Sequence, residues 1–383
     1  MSPSGSMPPT RFSDVTRRLS SQDPTGARPR FSQLSSSGRR RELARLHRGG
    51  EELSRPLPER IDGRYAVRDI FGVARAMSDV YIARDTLRNE WVVVKVASDH
   101  FDLNISSRAI MREFRALSLL DHPNIVRLRS IGRWQDKDYL VMDYVQGTDL
   151  FWMLQDYGRL DWQITKHITM QLCEALQMVH DRGIVHSDLK LENIIVSRSP
   201  GHRTTLLDFG LAKLEGQGLG KDLMISPGTV VGTFPYMAPE TFGAEQYDYR
   251  ADIYSLGVIM YEVLVGGNPF SGYQSANSRS DAPAREFLSS GRWADGHKAA
   301  STESMAPRGA SPAVSQRGSM RSFTSYDPGR TVEYIMKHVP PPPSTWADIP
   351  GCADDLVMQA IAKDPRDRFN SMAEMKAAIQ SCE

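Results

Sequence analysis

The stretch HSDLKLEN at residues 186–193, followed fifteen residues later by DFG at residues 208–210, decides the fold and the chemistry of this chain. Between them the two motifs place four polar side chains at fixed spacing: Asp188, Lys190, Asn193 and Asp208. Carboxylate and amide oxygens suit hard cations such as Mg²⁺, and a lysine ammonium suits a site where negative charge develops. Either motif alone is typical of a solvated polar loop, but the pair at this spacing is specific.

The four side chains match the needs of one reaction. In-line transfer of the γ-phosphoryl group of ATP spreads negative charge over the phosphoryl oxygens, so its catalysis depends on positioning and on cationic stabilisation. Asp188 is predicted to orient and deprotonate the acceptor hydroxyl, and Lys190 to meet the developing charge. Asn193 and Asp208 are predicted to hold the Mg²⁺ ions that bridge the phosphates. The pattern therefore predicts phosphoryl transfer from Mg-ATP.

With these motifs the chain resembles the eukaryotic-type (Hanks-type) serine/threonine protein kinases, and further motifs follow in the order of that family. VVVK at residues 92–95 resembles the strand whose lysine, here Lys95, holds the α- and β-phosphates. Glu113 matches the ion-pair partner of that lysine, and it lies in a stretch with helical spacing of apolar residues. GTFPYMAPE at residues 232–240 resembles the end of an activation segment, with Thr233 expected near the catalytic residues. Lys190 implies serine or threonine as the acceptor.

The resemblance also implies three residues with structural roles. Asp252 matches the buried aspartate that holds the backbone of the catalytic stretch, and Arg368 matches the arginine that pairs with Glu240. The same family places the nucleotide between a glycine-containing loop, the lysine strand and a hinge segment whose backbone meets the adenine. The nucleotide-binding residues implied in this way are Gly72, Val80, Lys95, Glu113, Met142, Asp143, Val145 and Asp149. Asp149 is expected at the ribose hydroxyls.

The expected fold class is α+β, the bilobal protein kinase fold. Residues 61–142 are predicted to form a small lobe, an antiparallel β-sheet with one helix, and residues 143–383 a large lobe that is mainly α-helical. The apolar pattern supports this division, because period-two stretches precede residue 143 and helical spacing dominates after residue 161.

Three departures from the family pattern bear on activity. The phosphate-covering loop keeps only Gly72 of its glycines, and Val93 replaces the usual alanine beside the adenine. Ser187 stands where most relatives have an arginine that pairs with a phosphorylated activation segment, so the catalytic stretch is of the non-RD kind. We therefore expect that activity does not depend strictly on phosphorylation of Ser226 or Thr229.

Composition bounds the class of protein. With 40% hydrophobic and 24% charged residues the chain is typical of a globular protein, and no apolar stretch approaches the roughly 18 residues of a membrane span. No secretory signal is evident. The three cysteines, Cys173, Cys352 and Cys382, show neither metal-site nor disulfide spacing, which favours a reducing compartment. These observations predict a cytoplasmic protein without a transmembrane segment.

Two biased segments flank or interrupt the predicted domain. Residues 1–60 hold 12 Arg, no Lys and 6 acidic residues, so this arm carries +6 while the whole chain carries +1. Its serine- and proline-rich composition predicts a disordered basic arm, and binding of nucleic acid is disfavoured because interleaved aromatic residues are missing. Residues 271–330 are rich in Ser, Ala, Gly and Arg and are predicted to be an inserted, disordered loop.

The sequence leaves the substrates open. Asp149 and Glu192 lie where basophilic relatives place acidic residues, which weakly favours protein substrates with basic motifs. RRLS at residues 17–20 has such a form, so autophosphorylation of the tail at Ser20, or of the activation segment, is a hypothesis. Two alternatives to an active protein kinase stay open, a pseudokinase that binds nucleotide as a scaffold and a kinase fold acting on a small molecule. The compact loop at residues 77–81 resembles that of bacterial members.

Overall fold

The structure, a computed structural model, describes residues 57–71, 77–100, 102–197, 201–214, 234–242, 247–270 and 328–383. Its first unit is a six-stranded antiparallel sheet in the order β1-β2-β3-β4-β6-β5. The strands are β1 (Arg60–Ile61), β2 (Tyr65–Phe71), β3 (Ser78–Asp85), β4 (Glu90–Ala97), β5 (Leu128–Trp134) and β6 (Lys137–Asp143). Tyr65, Val94 and Val141 are among the residues that form the small core on one face of this sheet.

One helix, α1 (Leu103–Ser118), packs against this sheet. Asp102 caps its N-terminus by accepting hydrogen bonds from the backbone N–H groups of Asn104 and Ile105, two donors that have no partner inside the helix. Ile110 and Leu117, seven residues apart and so on one helix face, are buried against the main core. Glu113 lies between them on the helix and is buried with them. The amphipathic spacing therefore places Glu113 on the side that faces the sheet.

The second unit is mainly helical. Its helices are α2 (Leu150–Tyr157), α3 (Trp162–Asp181), α4 (Arg250–Val265), α5 (Pro328–Lys337), α6 (Gly351–Ala360) and α7 (Met372–Ser381). Nearly every residue of α4 is buried, because α3 and α6 both pack on it. Gly257 allows the approach of α6, since a Cβ at that position would lie 2.7 Å from Cβ of Ala360. α4 is therefore the central, buried helix of the second unit.

Short strand pairs carry the loops that matter for chemistry. β7 (Thr148–Asp149), β9 (Ile194–Val196) and β10 (Thr204–Leu206) form a three-stranded antiparallel sheet in the order β10-β9-β7. β8 (Ile184–Val185) pairs with β11 (Lys213–Leu214). The catalytic stretch therefore begins after β8 and ends at β9, and the DFG motif lies between β10 and β11.

The α+β bilobal architecture predicted from the sequence is confirmed. The six-stranded sheet and its helix end at Asp143, and the helices of the second unit follow. The proposed arm at residues 1–60 lies almost entirely, and the inserted loop at 271–330 mostly, outside the described residues, so the domain limits stay predictions. None of the helices within the described ranges has the length and hydrophobicity that a bilayer crossing requires.

One expectation from the sequence is wrong. Cys352 and Cys382 form a disulfide, with their Cα atoms 5.6 Å apart and a sequence separation of 30. Cys352 lies in the first turn of α6 and Cys382 follows α7, and the packing of these two helices brings the cysteines together. Sequence spacing could not show this, because the pair matches no local cysteine motif and depends on tertiary contact. Cys173 is a free, buried thiol, as its apolar helix face suggests.

Candidate active site

Lys95 on β4 is at the centre of the candidate site. Its Nζ donates to Glu113 Oε2 at 2.7 Å and to Asp208 Oδ1 at 2.9 Å, and the lysine side chain is 9% exposed. β4 presents Lys95, α1 presents Glu113 and the segment after β10 presents Asp208, so three elements from both lobes meet at one ammonium group. Val80 is the cross-strand neighbour of Lys95 on β3.

Burial and charge act in opposite directions on this triad. Burial alone lowers the pKa of Lys95, but the charges of Asp208 and Glu113 outweigh it and the pKa is raised. Burial raises the pKa of Glu113 against the opposing effect of Lys95. For Asp208 burial is outweighed by Lys95, which holds the pKa of the carboxyl well below its usual range. Lys95 and Asp208 are therefore an ionised pair at neutral pH.

The DFG motif has a strained backbone at its first residue. Asp208 has φ +58°, in the left-handed region that non-glycine residues rarely adopt. The Gly210 N–H donates to Asp208 Oδ1 at 3.1 Å, and the Phe209 N–H donates to Glu113 Oε1 at 3.4 Å. Phe209 is fully buried and makes an edge contact with His186, with ring centroids 4.7 Å apart. Tertiary contacts therefore hold Asp208 in a conformation that local preference disfavours.

The three residues predicted for the catalytic stretch lie together. Lys190 Nζ donates to Asp188 Oδ2 at 2.6 Å, and Asn193 Nδ2 donates to the Asp188 backbone carbonyl at 2.9 Å. Burial alone lowers the pKa of Lys190. The charge of Asp188 and its hydrogen bond to the lysine act in the opposite direction, and the pKa is raised. The charge of Lys190 also contributes to the lowered pKa of Asp208, which links the catalytic stretch to the DFG motif electrostatically.

Asp252, in the first turn of α4, accepts hydrogen bonds from the backbone of the catalytic stretch. Its Oδ2 accepts from the backbone N–H of His186 at 2.8 Å and its Oδ1 accepts from that of Ser187 at 2.9 Å. His180 Nε2 lies 2.8 Å from Asp252 Oδ2, and the hydrogen bond from this imidazole helps to keep the pKa of the buried carboxyl low. Ser187 has φ +66°, so the stretch turns sharply just before Asp188. The expected position of Asp252 is found, whereas the role of His180 could not be seen in the sequence.

The hinge residues lie where the two lobes join. Met142 on β6 is paired with Val93 on β4 and is buried, and the N–H of Asp143, the last residue of β6, donates to the Arg127 carbonyl at 3.0 Å. The carboxylate of Asp143 is paired with Arg129, which leaves only its backbone to face a nucleotide. Val145 follows as a half-buried residue.

Asp149 is buried at the start of α2. It is 2% exposed and is the N-cap of α2, accepting from the Trp152 N–H at 3.0 Å. A carboxylate that is buried and capping a helix has little surface left for ribose hydroxyls or substrate arginines. The structure therefore places Asp149 at a helix cap, and its contact with the ribose hydroxyls stays a prediction.

Several predicted residues lie outside the described residues: Gly72 of the phosphate loop, Ser226 and Thr229, Thr233 and Ser20. Beyond Thr233 the end of the activation segment is described. Arg368 donates through Nη1 and Nη2 to the two carboxylate oxygens of Glu240, at 2.6 and 2.8 Å, and its side chain is fully buried. This is the pairing implied by the sequence.

A second carboxylate near the catalytic stretch was missed. Glu262 on α4 accepts from Asn268 Nδ2 at 3.1 Å and forms a hydrogen bond with the hydroxyl of Tyr236. Burial raises the pKa of Glu262 to about 7, and the charge of Glu192 on the catalytic stretch adds to the shift. Glu262 lies in the apolar second half of α4, so the only sequence signal was one acidic residue in the stretch from Leu256 to Val265.

Comparison with known proteins agrees with this geometry. The model of the protein kinase domain family matches residues 76–379. Serine/threonine-protein kinase pkn2 of Myxococcus xanthus is 36% identical over 55% of this chain and 25% of its own length, and serine/threonine-protein kinase PrkC of Bacillus subtilis is 31% identical over 61% and 35%. A probable serine/threonine-protein kinase of Clostridium perfringens is 28% identical over 78% and 35%. The chain thus spans about a quarter to a third of the length of these relatives.

Proposed function

Because this chain belongs to the protein kinase family, we propose that it acts as a serine/threonine protein kinase that transfers the γ-phosphoryl group of ATP to hydroxyls of protein substrates. The observation that carries the proposal is the meeting of two charged groups at one cleft: Lys95, Glu113 and Asp208 on one side, and Asp188, Lys190 and Asn193 on the other. Catalysis of this transfer needs positioned charges more than covalent chemistry, and both groups are held by tertiary contacts.

The donor set fits Mg-ATP. Asp208 supplies an ionised carboxylate, and Asn193 supplies an amide whose nitrogen is already engaged with the Asp188 carbonyl, which leaves the amide oxygen for a metal. Two protein ligands suit an ion that takes its other ligands from phosphate and water. Bound Mg-ATP supplies the phosphoryl group and the divalent charge that neutralises it. Lys95 binds phosphate oxygens in competition with its present contact to Asp208.

The residues of the catalytic stretch then act on the acceptor. Asp188 orients the hydroxyl and takes its proton on the carboxylate, at the oxygen not engaged by Lys190 or at Oδ2 after Lys190 turns to the phosphoryl group. Lys190 carries its positive charge toward the transferred group, and its raised pKa keeps it protonated throughout. Asn193 holds the backbone of Asp188 in place. Met142, Asp143 and Val145 bind adenine through the hinge, and Val80 covers it.

We extend the proposal to substrates with basic motifs. Glu192 is exposed on the catalytic stretch, and its charge adds to the burial that raises the pKa of Glu262, so the two carboxyl groups repel each other when both are ionised. Two neighbouring carboxylates beside the reacting residues favour a guanidinium, which would relieve this repulsion. Asp149 is left out of this site because it is buried as a helix cap. Autophosphorylation of the tail or the activation segment belongs to the same proposal.

Location is part of the proposal as well. We propose a cytoplasmic location because the reaction needs ATP. The expectation of a reducing compartment from the cysteine spacing is weakened by the disulfide between Cys352 and Cys382.

The test is direct transfer of labelled γ-phosphate from Mg-ATP to peptides. Matched peptides differ only in the acceptor, serine, threonine or tyrosine, and in whether arginines precede it. We expect transfer to serine and threonine, faster with arginines present, and loss of at least a hundredfold in Asp188→Asn. A folded protein that binds ATP but labels no peptide, with Asp188→Asn indistinguishable from it, contradicts the proposal.

A further inference from the structure

Ser187 has a partner that the sequence did not suggest. The hydroxyl of Tyr247 donates to Ser187 Oγ at 3.0 Å. Ser187 is the left-handed residue immediately before Asp188, and its N–H is already bound to Asp252. The bond from Tyr247 therefore reaches the catalytic stretch at its sharpest turn, one residue from the proposed base.

Tyr247 is itself held by the strand that follows the DFG motif. Lys213 Nζ donates to the Tyr247 backbone carbonyl at 2.9 Å and lies 4.5 Å from the centre of its ring. Lys213 is on β11, where it pairs with Val185 of β8. Three parts of the chain thus meet at Tyr247: the entry to the catalytic stretch, the start of the activation segment and the segment that leads into α4.

The surroundings of Tyr247 keep its hydroxyl a donor. Burial raises the pKa of Tyr247, while Ser187 and the charge of Arg112 oppose the rise and those of Asp252 and Glu240 add to it. The phenol is therefore protonated at neutral pH. In a kinase with arginine before the catalytic aspartate, a phosphate would join that arginine to the activation segment. Here a neutral hydrogen bond from Tyr247 joins the catalytic stretch to the segment before α4, and Lys213 connects that segment to the start of the activation segment.

We propose that Tyr247 is a positioning residue that holds the catalytic stretch through Ser187 and so aligns Asp188 without a phosphate. Tyr247 does not touch substrate or nucleotide in this role and acts only through Ser187. The inference rests on the proposed kinase function for its effect on rate, but the contact itself is independent of that function.

Tyr247→Phe removes only the hydroxyl oxygen and keeps the ring against Lys213. Because the substitution removes one neutral hydrogen bond, we expect kcat to fall about two- to twelvefold, with KM for ATP unchanged. Ser187→Ala should give the same fall, and the double variant no further fall, because both remove one bond. The matched control is Tyr249→Phe, whose hydroxyl donates to the Asn370 carbonyl and is remote from Ser187. It should leave kcat unchanged.

Dephosphorylation tests the phosphate-free part of the proposal. After phosphatase treatment the wild-type protein should keep its kcat within about twofold. A collapse of wild-type activity on this treatment would show that a phosphate does the positioning. Effects of Tyr247→Phe and Ser187→Ala that multiply in the double variant would also overturn the proposal, because they would show two independent interactions.

Amide hydrogen exchange tests the positioning effect of the Tyr247–Ser187 hydrogen bond, whether or not the protein transfers phosphate. Residues 184–190 should exchange faster in Tyr247→Phe and in Ser187→Ala than in the wild type and in Tyr249→Phe. Equal exchange in all four proteins refutes the positioning role. Faster exchange in an inactive wild-type background supports the contact and rejects only the proposed kinase function.

Discussion

Lys95 and Asp208, 113 residues apart in the sequence, form a direct ion pair with 2.9 Å between Nζ and Oδ1, while the same ammonium lies 2.7 Å from Glu113. The lysine thus joins the sheet, the helix of the small lobe and the DFG motif. A nucleotide phosphate has to share or replace one of these carboxylates. Because Glu113 is buried and Asp208 is partly exposed, Asp208 is the contact that ligand binding can rearrange.

Replacement of Glu113 tests this division. Glu113→Gln replaces the carboxyl group that accepts a hydrogen bond from Lys95 by a neutral amide, so the lysine should stay with Asp208. Loss of a charge-assisted hydrogen bond of roughly 1.5–3 kcal/mol predicts a fall in kcat/KM of about ten- to a hundredfold. Steady-state kinetics with a peptide substrate measure it. The control is Glu90→Gln, whose carboxylate is 49% exposed and pairs with Arg129 at 3.2 Å. Equal effects of the two substitutions contradict the assigned role.

Arg368 should matter far more for stability than its neighbour Arg366. Arg368 is fully buried and donates to both oxygens of Glu240 and to the carbonyls of Ala362 and Arg250. Arg368→Lys cannot keep this set of bonds and should lower the free energy of unfolding by about 3–5 kcal/mol. Arg366 pairs with Asp364 at the surface, so Arg366→Lys should leave the free energy of unfolding nearly unchanged. Denaturant unfolding compares them, and similar losses would refute the distinction.

The free energy of unfolding should decrease as the pH rises, because the pKa of Glu262 is raised in the folded protein. Its pKa is about 7 in the folded protein against an ordinary value of 4.5, so the folded state holds the proton more tightly. Its favourable contribution is complete below about pH 4.5, decreases as the pH rises through 7 and is constant above that. The difference is at most about 3 kcal/mol, and solvent reduces it.

Thermal denaturation between pH 4 and 8 measures this effect against Glu262→Gln. The wild type should lose stability relative to the variant as the pH rises through this window. Parallel curves for the two proteins would show that Glu262 titrates normally. The same ionisation should lower KM for arginine-containing peptides above pH 7, with no change for peptides that lack arginine.

The disulfide should stabilise the end of the chain. Cys352 and Cys382 close a ring of 30 residues that contains Arg368. A cross-link over a ring of this size contributes roughly 3–4 kcal/mol by restricting the unfolded chain. A reductant should therefore lower the melting temperature by several degrees, and Cys352→Ser should show the same lowered value with or without reductant. Identical melting of the wild type in both conditions would mean that the bond does not form or does not stabilise.

Much of the molecule follows from local sequence. The strand that carries Lys95 is rich in valine, and the spacing of Ile110, Glu113 and Leu117 defines one face of α1. Motif order then predicted which charged residues meet, because in this family each motif has a fixed place in the fold. The geometry agrees for Lys95 with Glu113, for Arg368 with Glu240 and for the three residues of the catalytic stretch.

Several features of the structure could not be predicted from motifs or from apolar spacing. The burial of Asp149 as a helix cap, the Cys352–Cys382 pair, the titration of Glu262 and the bond from Tyr247 to Ser187 depend on how helices and loops pack. The sequence by itself determined the fold class and the identity of the charged residues, since periodicity and motif order are local properties. Only the tertiary structure decided which of those residues are buried, paired or strained, because desolvation and hydrogen-bond geometry exist only after packing.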